Sequence, residues 1–150
     1  MSLKNRVNYR MSTEPQKVKL STGNLDFAQI DLMLKTLPID ITFVNENDKV
    51  VYYSDTEHRI FPRSPGIIGR TVQRCHPPKS VHVVEQILDA FKKGSRDKAE
   101  FWIRLKGKVF YIRYFAIRDG SGRYRGTLEV SQDITEIQYL TGEQRLLDWK

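Results

Sequence analysis

Lys108 to Arg118 reads KVFYIRYFAIR, a run with apolar or aromatic side chains at both parities. Val109, Tyr111, Phe115 and Ile117 fall on one face of an extended chain, and Phe110, Ile112, Tyr114 and Ala116 on the other, because successive strand side chains point to opposite sides. A strand apolar on both faces belongs inside a sheet with both faces covered. Arg113 is the charge within it. Facing inward, it needs a partner such as Glu129 on the next strand, or an anionic ligand.

Turn residues bracket this strand. Gly107 precedes it and DGSG (119–122) follows it, which makes AEFWIRLK (99–106) and YRGTLEVSQDI (124–134) its hairpin neighbours. Upstream, Lys79–Lys93 predicts the clearest helix. Pro77 and Pro78 suit a first turn, Lys92 and Lys93 suit the negative C-terminal end, and Gly94 suits the left-handed cap. At about 100° per residue, Val81, Val83, Val84, Ile87, Leu88 and Phe91 gather into one apolar arc, with His82 opposite. Residues 55–78 hold four prolines and two glycines, which predicts short helical turns and loops.

Further back, ITFV (41–44) and KVVYYS (49–54) flank the polar turn NEND, a hairpin pattern. Leu25, Ile30, Leu34 and Leu37, closed by Pro38, predict a short amphipathic helix. The expected fold is α+β: one five-stranded antiparallel sheet, with helices in the crossover and an N-terminal flanking helix. The crossover helices can cover one sheet face. The N-terminal helix or a second subunit is expected on the other.

The 150-residue chain is about one domain's worth. No apolar run approaches the roughly 18 residues that cross a bilayer, and MSLKNRVNYR is charged where a signal peptide is apolar. Cys75 is the single cysteine, so no disulfide forms within the chain, as suits a reducing compartment. We therefore expect a cytoplasmic protein with no membrane partner. Residues 1–23 carry a net +4 of the total +7. They read as a flexible basic leader or linker, with 24–140 as the domain and 141–150 as a short tail. Nucleic acid is not an expected partner, since Tyr9 is the sole aromatic interleaved in the basic segment.

Candidate chemistry is sparse. CHPPKSVH (75–82) concentrates one cysteine and two histidines. His82, on the solvent side of the arc, cannot serve a buried ligand. One cysteine and three histidines in the whole chain exclude a zinc-finger-like site. Cys75 and His76 are adjacent in an extended segment, so their side chains diverge and make no nucleophile–base pair. Asp55, Glu57 and His58 could bind a cation, but Asp and Thr before a helical turn more simply cap it. No motif demands an enzyme, and no metal site is expected.

The order of elements, together with SPGIIGRTVQRCHPPKS, the helix ending in KKG and the terminal GTLEVSQDITEI, resembles a PAS domain. Ile68–Gly69, His76–Pro77 and Asp133–Ile134–Thr135 stand where that family carries similar steps, from about Leu25 to Leu140. DTEHRIFPRSPGIIG more narrowly resembles the C-terminal PAS modules of bacterial proteins with a hemerythrin-like helical domain. The resemblance implies a sensory or signal-transduction module with a small-ligand pocket, passing its state to a partner domain or homodimer. A ligand-free dimerisation or docking module, using Trp102 and Tyr114 under a partner helix, is the alternative. Pocket candidates are Phe43, Tyr52, Ile68, Val84, Ile87, Phe91, Ile103, Arg113, Phe115 and Leu128. Asp133, Ile134, Thr135 and Glu136 are the expected transmission segment. The flavin-binding members' Asn-Cys-Arg-Phe phrase is absent, and no motif supports a haem. His76, Cys75 and His58 are the residues that could contact a haem or redox group. The resemblance also implies fusion to an N-terminal helical domain.

Overall fold

The computed structural model describes residues 15–57 and 59–147, so His58 lies outside the described residues. The chain divides into two compact units, Met1–Thr36 and Leu37–Lys150. In the first, strand β1 (Lys17–Lys19) pairs antiparallel with β2 (Asn24–Asp26), and helix α1 spans Phe27–Thr36. This hairpin straddles residue 23, the sequence-derived end of the leader. Asp26 and Gln29 start α1 by exchanging bonds: Gln29 N donates to Asp26 Oδ1 at 2.8 Å, and Asp26 N to Gln29 Oε1 at 3.0 Å. This reciprocal cap satisfies amide donors that a helix start otherwise leaves free.

The second unit contains strands β3 (Asp40–Asn45), β4 (Val50–Tyr53), β5 (Lys98–Leu105), β6 (Lys108–Arg118) and β7 (Tyr124–Asp133). They form one antiparallel sheet in the order β4-β3-β7-β6-β5. Helix α2 (Pro78–Lys92) and single 3-10 turns at Pro65–Ile67 and Val72–Cys75 occupy the crossover. Among the described residues no helix is long and apolar enough to cross a membrane.

Register assigns the faces. Val44 pairs with Thr127, Thr42 with Glu129 and Asp40 with Ser131, while Glu129 pairs with Tyr114 and Ser131 with Ile112. These residues share the inner face, toward α2. Val44, Val50, Val72 and Leu88 form a buried cluster there, with Ile67, Cys75 and Val84 against it. Burying each such aliphatic side chain contributes about 1.5–3 kcal/mol. Ile41, Phe43, Leu128, Val130, Val109, Tyr111, Arg113 and Phe115 occupy the opposite face.

Polar contacts stitch the crossover to the sheet edge. Gly69 N donates to Val50 O at 2.8 Å, Val50 N to Arg70 O at 3.0 Å, and Val72 N to Asp48 O at 2.7 Å. These bonds pair an edge that would otherwise invite another strand. Lys92 Nζ lies 2.7 Å from Asp48 Oδ1, tying the end of α2 to the β3–β4 turn. Gly94, at φ +73, supplies the expected left-handed cap after α2.

Two sequence expectations about local structure change. Val83 is exposed, because it sits at the margin of the apolar arc, about 100° from Val84. Asp55 and Thr56 cap no helix: residues 54–57 and 59–64 are irregular. Thr56 Oγ1 instead donates to Asp40 Oδ1 at 2.7 Å.

Candidate functional site

A hollow lies between α2 and the inner sheet face. Val44, Val72, Val84, Ile87 and Leu88 supply its apolar wall, and His76, Tyr114, Thr127 and Glu129 its polar part. Counted out to its open mouth, solvent included, it spans about 350 Å³, and its interior of about 20 Å³ has room for about one water. Every element contributes for a local reason. The helical arc of α2 aims Val84 and Ile87 inward. The 3-10 turn delivers Val72, and the proline pair holds His76 just before α2. The alternation of β6 and β7 presents Tyr114, Thr127 and Glu129 on one side.

Glu129 dominates the electrostatics. Burial pushes its carboxyl above the ordinary range, opposed by Arg63, whose Nη2 lies 3.5 Å from Glu129 Oε1. Burial also pushes the Tyr114 phenol up, and its neighbour Glu129 adds to the effect. His76 is shifted down by burial and then by Arg63, so its neutral form dominates near pH 7.

A polar strap borders the site. Arg59 Nη1 donates to Ser54 O at 2.7 Å, its Nη2 to Thr42 Oγ1 at 2.9 Å and its Nε to Phe61 O at 3.0 Å. Asp40 Oδ2 accepts from Ile60 N at 2.5 Å. These contacts fasten Ser54 and residues 59–61 to β3, and Arg63 follows beside Glu129. Phe61 packs on Phe110, with ring centroids 6.3 Å apart.

Of the ten sequence-derived pocket candidates, Val84 and Ile87 line this hollow. Phe43, Arg113, Phe115 and Leu128 lie on the opposite face, and Tyr52 pairs with Phe43. Phe91 is fully buried in the core, Ile68 is exposed on a turn, and Ile103 pairs with Phe110 on the inner face. The doubly apolar β6 gave no means of choosing between its parities, and Phe115 has the wrong one. Arg113 does not pair with Glu129. Its Nη2 donates to Gln132 Oε1 at 3.2 Å, and its guanidinium sits 4.8 Å from the Tyr111 ring centre. Tyr114 is not an exposed docking residue: it lines the hollow, whereas Trp102 is 69% exposed.

His76 lines the hollow, while half-buried Cys75 donates from Sγ to Thr71 O at 3.6 Å. Asp55 and Glu57 are exposed. Among the described residues no cluster of His, Cys, Asp and Glu could hold a metal ion. Val44, Val72, Leu88, Tyr114, Thr127, Glu129, Arg59 and Arg63 are the site residues that sequence reasoning missed. Glu129, a lone acid in the strand GTLEVSQ, was the one visible hint.

β7 leads from the hollow to the end of the sheet. At that end Asp133 Oδ1 accepts from Thr135 N at 3.0 Å and from Thr135 Oγ1 at 2.6 Å. Val109 N donates to Thr135 Oγ1 at 2.9 Å, Ile134 N donates to Val109 O at 2.9 Å, and Lys108 Nζ lies 3.1 Å from Asp133 Oδ2. The segment leaving β7 is therefore clamped to the first residues of β6.

A sequence model of the PAS domain matches residues 30–135, most of the chain and the whole of the five-stranded sheet. The chain belongs to the PAS domain family. A crystal structure of a C-terminal domain from Streptococcus mutans is 37% identical, with a TM-score of 0.78, over 82% of this chain and 96% of that one. Two more distant PAS domains share the fold. That of Bordetella pertussis BvgS is 16% identical with a TM-score of 0.55, over 71% of this chain and 84% of its own. One from Colwellia psychrerythraea is 16% identical with a TM-score of 0.53, over 73% and 97%. No curated protein matches the sequence. The inner-face hollow of this PAS domain is thus framed by elements on which the family match itself falls.

Proposed function

We propose that this PAS domain is a sensory module in which a small molecule in the inner-face hollow changes the state of β7 and of the segment leaving it. One observation carries the reading. β7 lines the hollow with Thr127 and Glu129, and the same strand ends at the Asp133–Thr135 clamp. A ligand that shifts Glu129 pulls on a strand whose far end is held by a few hydrogen bonds, each worth about 1 kcal/mol. Such a clamp can be tipped by a ligand that favours one arrangement over another.

The receiver of the change is proposed to be a fused domain or a second copy of the chain. The Streptococcus mutans relative, being a C-terminal domain, supports an N-terminal neighbour in the full protein. That neighbour is proposed to be a hemerythrin-like helical domain, and the protein to be cytoplasmic. Transmission is assigned to Asp133, Ile134, Thr135 and Glu136. The alternative, a docking module without a ligand, draws on exposed Trp102, Tyr139 and Leu140.

Native mass spectrometry and a thermal-shift screen test the proposal. A co-purifying small molecule, or a screened compound that raises Tm, should be found with the wild type and lost in Val84→Phe, whose ring fills the hollow. Binding that survives Val84→Phe, or none in either assay, would overturn it.

A further inference from the structure

We infer that β5 is an interface: its open edge pairs antiparallel with β5 of a second copy of this chain, about a two-fold axis at Trp102. This holds whether or not the hollow takes a ligand. β5 stands last in the sheet order, with β6 its one hydrogen-bonded neighbour among the described residues. It runs for 8 residues without a proline or a bulge. Such an edge presents a row of amides and carbonyls on which another strand can pair.

Register shows which groups those are. Ala116 N donates to Asp97 O at 2.9 Å, and opposed residues alternate between bonded and non-bonded pairs. The bonded pairs along β5 and β6 are therefore Ala99–Tyr114, Phe101–Ile112 and Ile103–Phe110. Lys98, Glu100, Trp102 and Arg104 turn their N–H and C=O groups to the open edge. Their side chains share the outer face with Tyr111 and Arg113.

A second β5 pairs only where these same residues meet one another. With Trp102 opposite Trp102, Glu100 faces Arg104 of the second copy and Arg104 faces its Glu100. Phe101 lies opposite Ile103 on the other face. Aromatic, apolar and opposite-charge pairs of this kind stabilise a sheet. A slip of one residue sets the free groups against residues whose own bonds go to β6. A slip of two either sets Lys98 against Arg104 or runs the ladder into the turn at Lys106 and Gly107, both at positive φ. Charge and backbone thus select a single register.

The side chains of this stripe suit the pairing. Trp102 is exposed, although tryptophan is highly buried on average. Arg104 is also exposed and has no ion-pair partner among the described residues. Glu100 is held on the outer face by Lys98, 3.0 Å away, and by the Tyr111 hydroxyl. A carboxylate accepts about four bonds, which leaves room for Arg104 of the second copy.

Sedimentation equilibrium of the full chain tests the pairing. Wild type is expected to dimerise with a Kd below about 100 μM. Arg104→Glu opposes two carboxylates at both ends of the ladder and should raise that Kd at least about tenfold. Glu100→Arg opposes two cations and should do the same. Mixed in equal amounts, the two variants meet as opposite charges at both positions and should recover the dimer. Trp102→Pro removes an edge-facing N–H that β6 does not use, a change an edge strand tolerates, and should abolish dimerisation. A monomeric wild type, or a dimer that Arg104→Glu and Trp102→Pro leave unchanged, overturns the proposal. Single variants that weaken the dimer but do not recover it on mixing overturn the antiparallel register and with it this interface.

Discussion

His76 stands at the boundary between the hollow and the crossover, and its environment makes a pH prediction. Burial, followed by Arg63, depresses its folded-state pKa. The unfolded chain therefore takes up this proton first as pH falls below about 6.5, and stability is lost over that window. Glu129 works the other way, since its carboxyl is raised by burial. Its contribution is present at low pH and lost as pH rises through the folded value. The two are separated by comparing wild type with His76→Gln in urea denaturation at pH 7.5 and 5.5. His76→Gln should lose less stability on acidification than wild type; equal losses would remove His76 from the account. Residue-scale details were the least legible in the sequence. His76 was noticed for its proximity to Cys75, for the His76–Pro77 step and as a possible haem contact, and Arg59 not at all. Arg59 works through contacts to Thr42, Ser54 and Phe61, and the Thr42 contact spans a sequence separation that no local pattern encodes.

At the scale of elements, period and turn chemistry located the five strands and α2 to within a residue or two. Lys108–Arg118 was recovered at both ends, because Gly107 and the DGSG turn mark them. Faces were harder. β6 is apolar at both parities, so only its pairing with β7 reveals that Tyr114 rather than Phe115 looks toward α2. β7 holds the least replaceable backbone position. Gly126 has φ +150, and a Cβ there would come within 2.4 Å of Val44 O and 2.7 Å of the Phe43 ring. The Val44 carbonyl, being backbone, cannot withdraw without disturbing the β3–β7 pairing. Gly126→Ala is expected to destabilise the fold by about 2–4 kcal/mol, read as a lower urea midpoint. A loss below about 0.5 kcal/mol would mean that β3 and β7 approach less closely than described.

For the molecule as a whole, the fold was legible because its evidence is local and ordered: hairpin, proline-rich crossover, helix, three-strand meander. The site was not, because it is assembled from β3, the second 3-10 turn, α2, β6 and β7, far apart along the chain. The proposed link between the hollow and the exit of the sheet is also non-local. Glu129 lies four residues before Asp133 on β7, and Asp133 reaches the start of β6 through Thr135 and Lys108. The lining of the hollow and the exit of the sheet therefore share one strand, as the proposed sensory role requires. Hydrogen–deuterium exchange on the full chain, comparing wild type with Val84→Phe, tests that connection most directly. Filling the hollow should change protection at Ile134, Thr135 and Gln138 as well as at Thr127 and Glu129. Changes confined to the hollow's own lining, with the exit amides untouched, would contradict it.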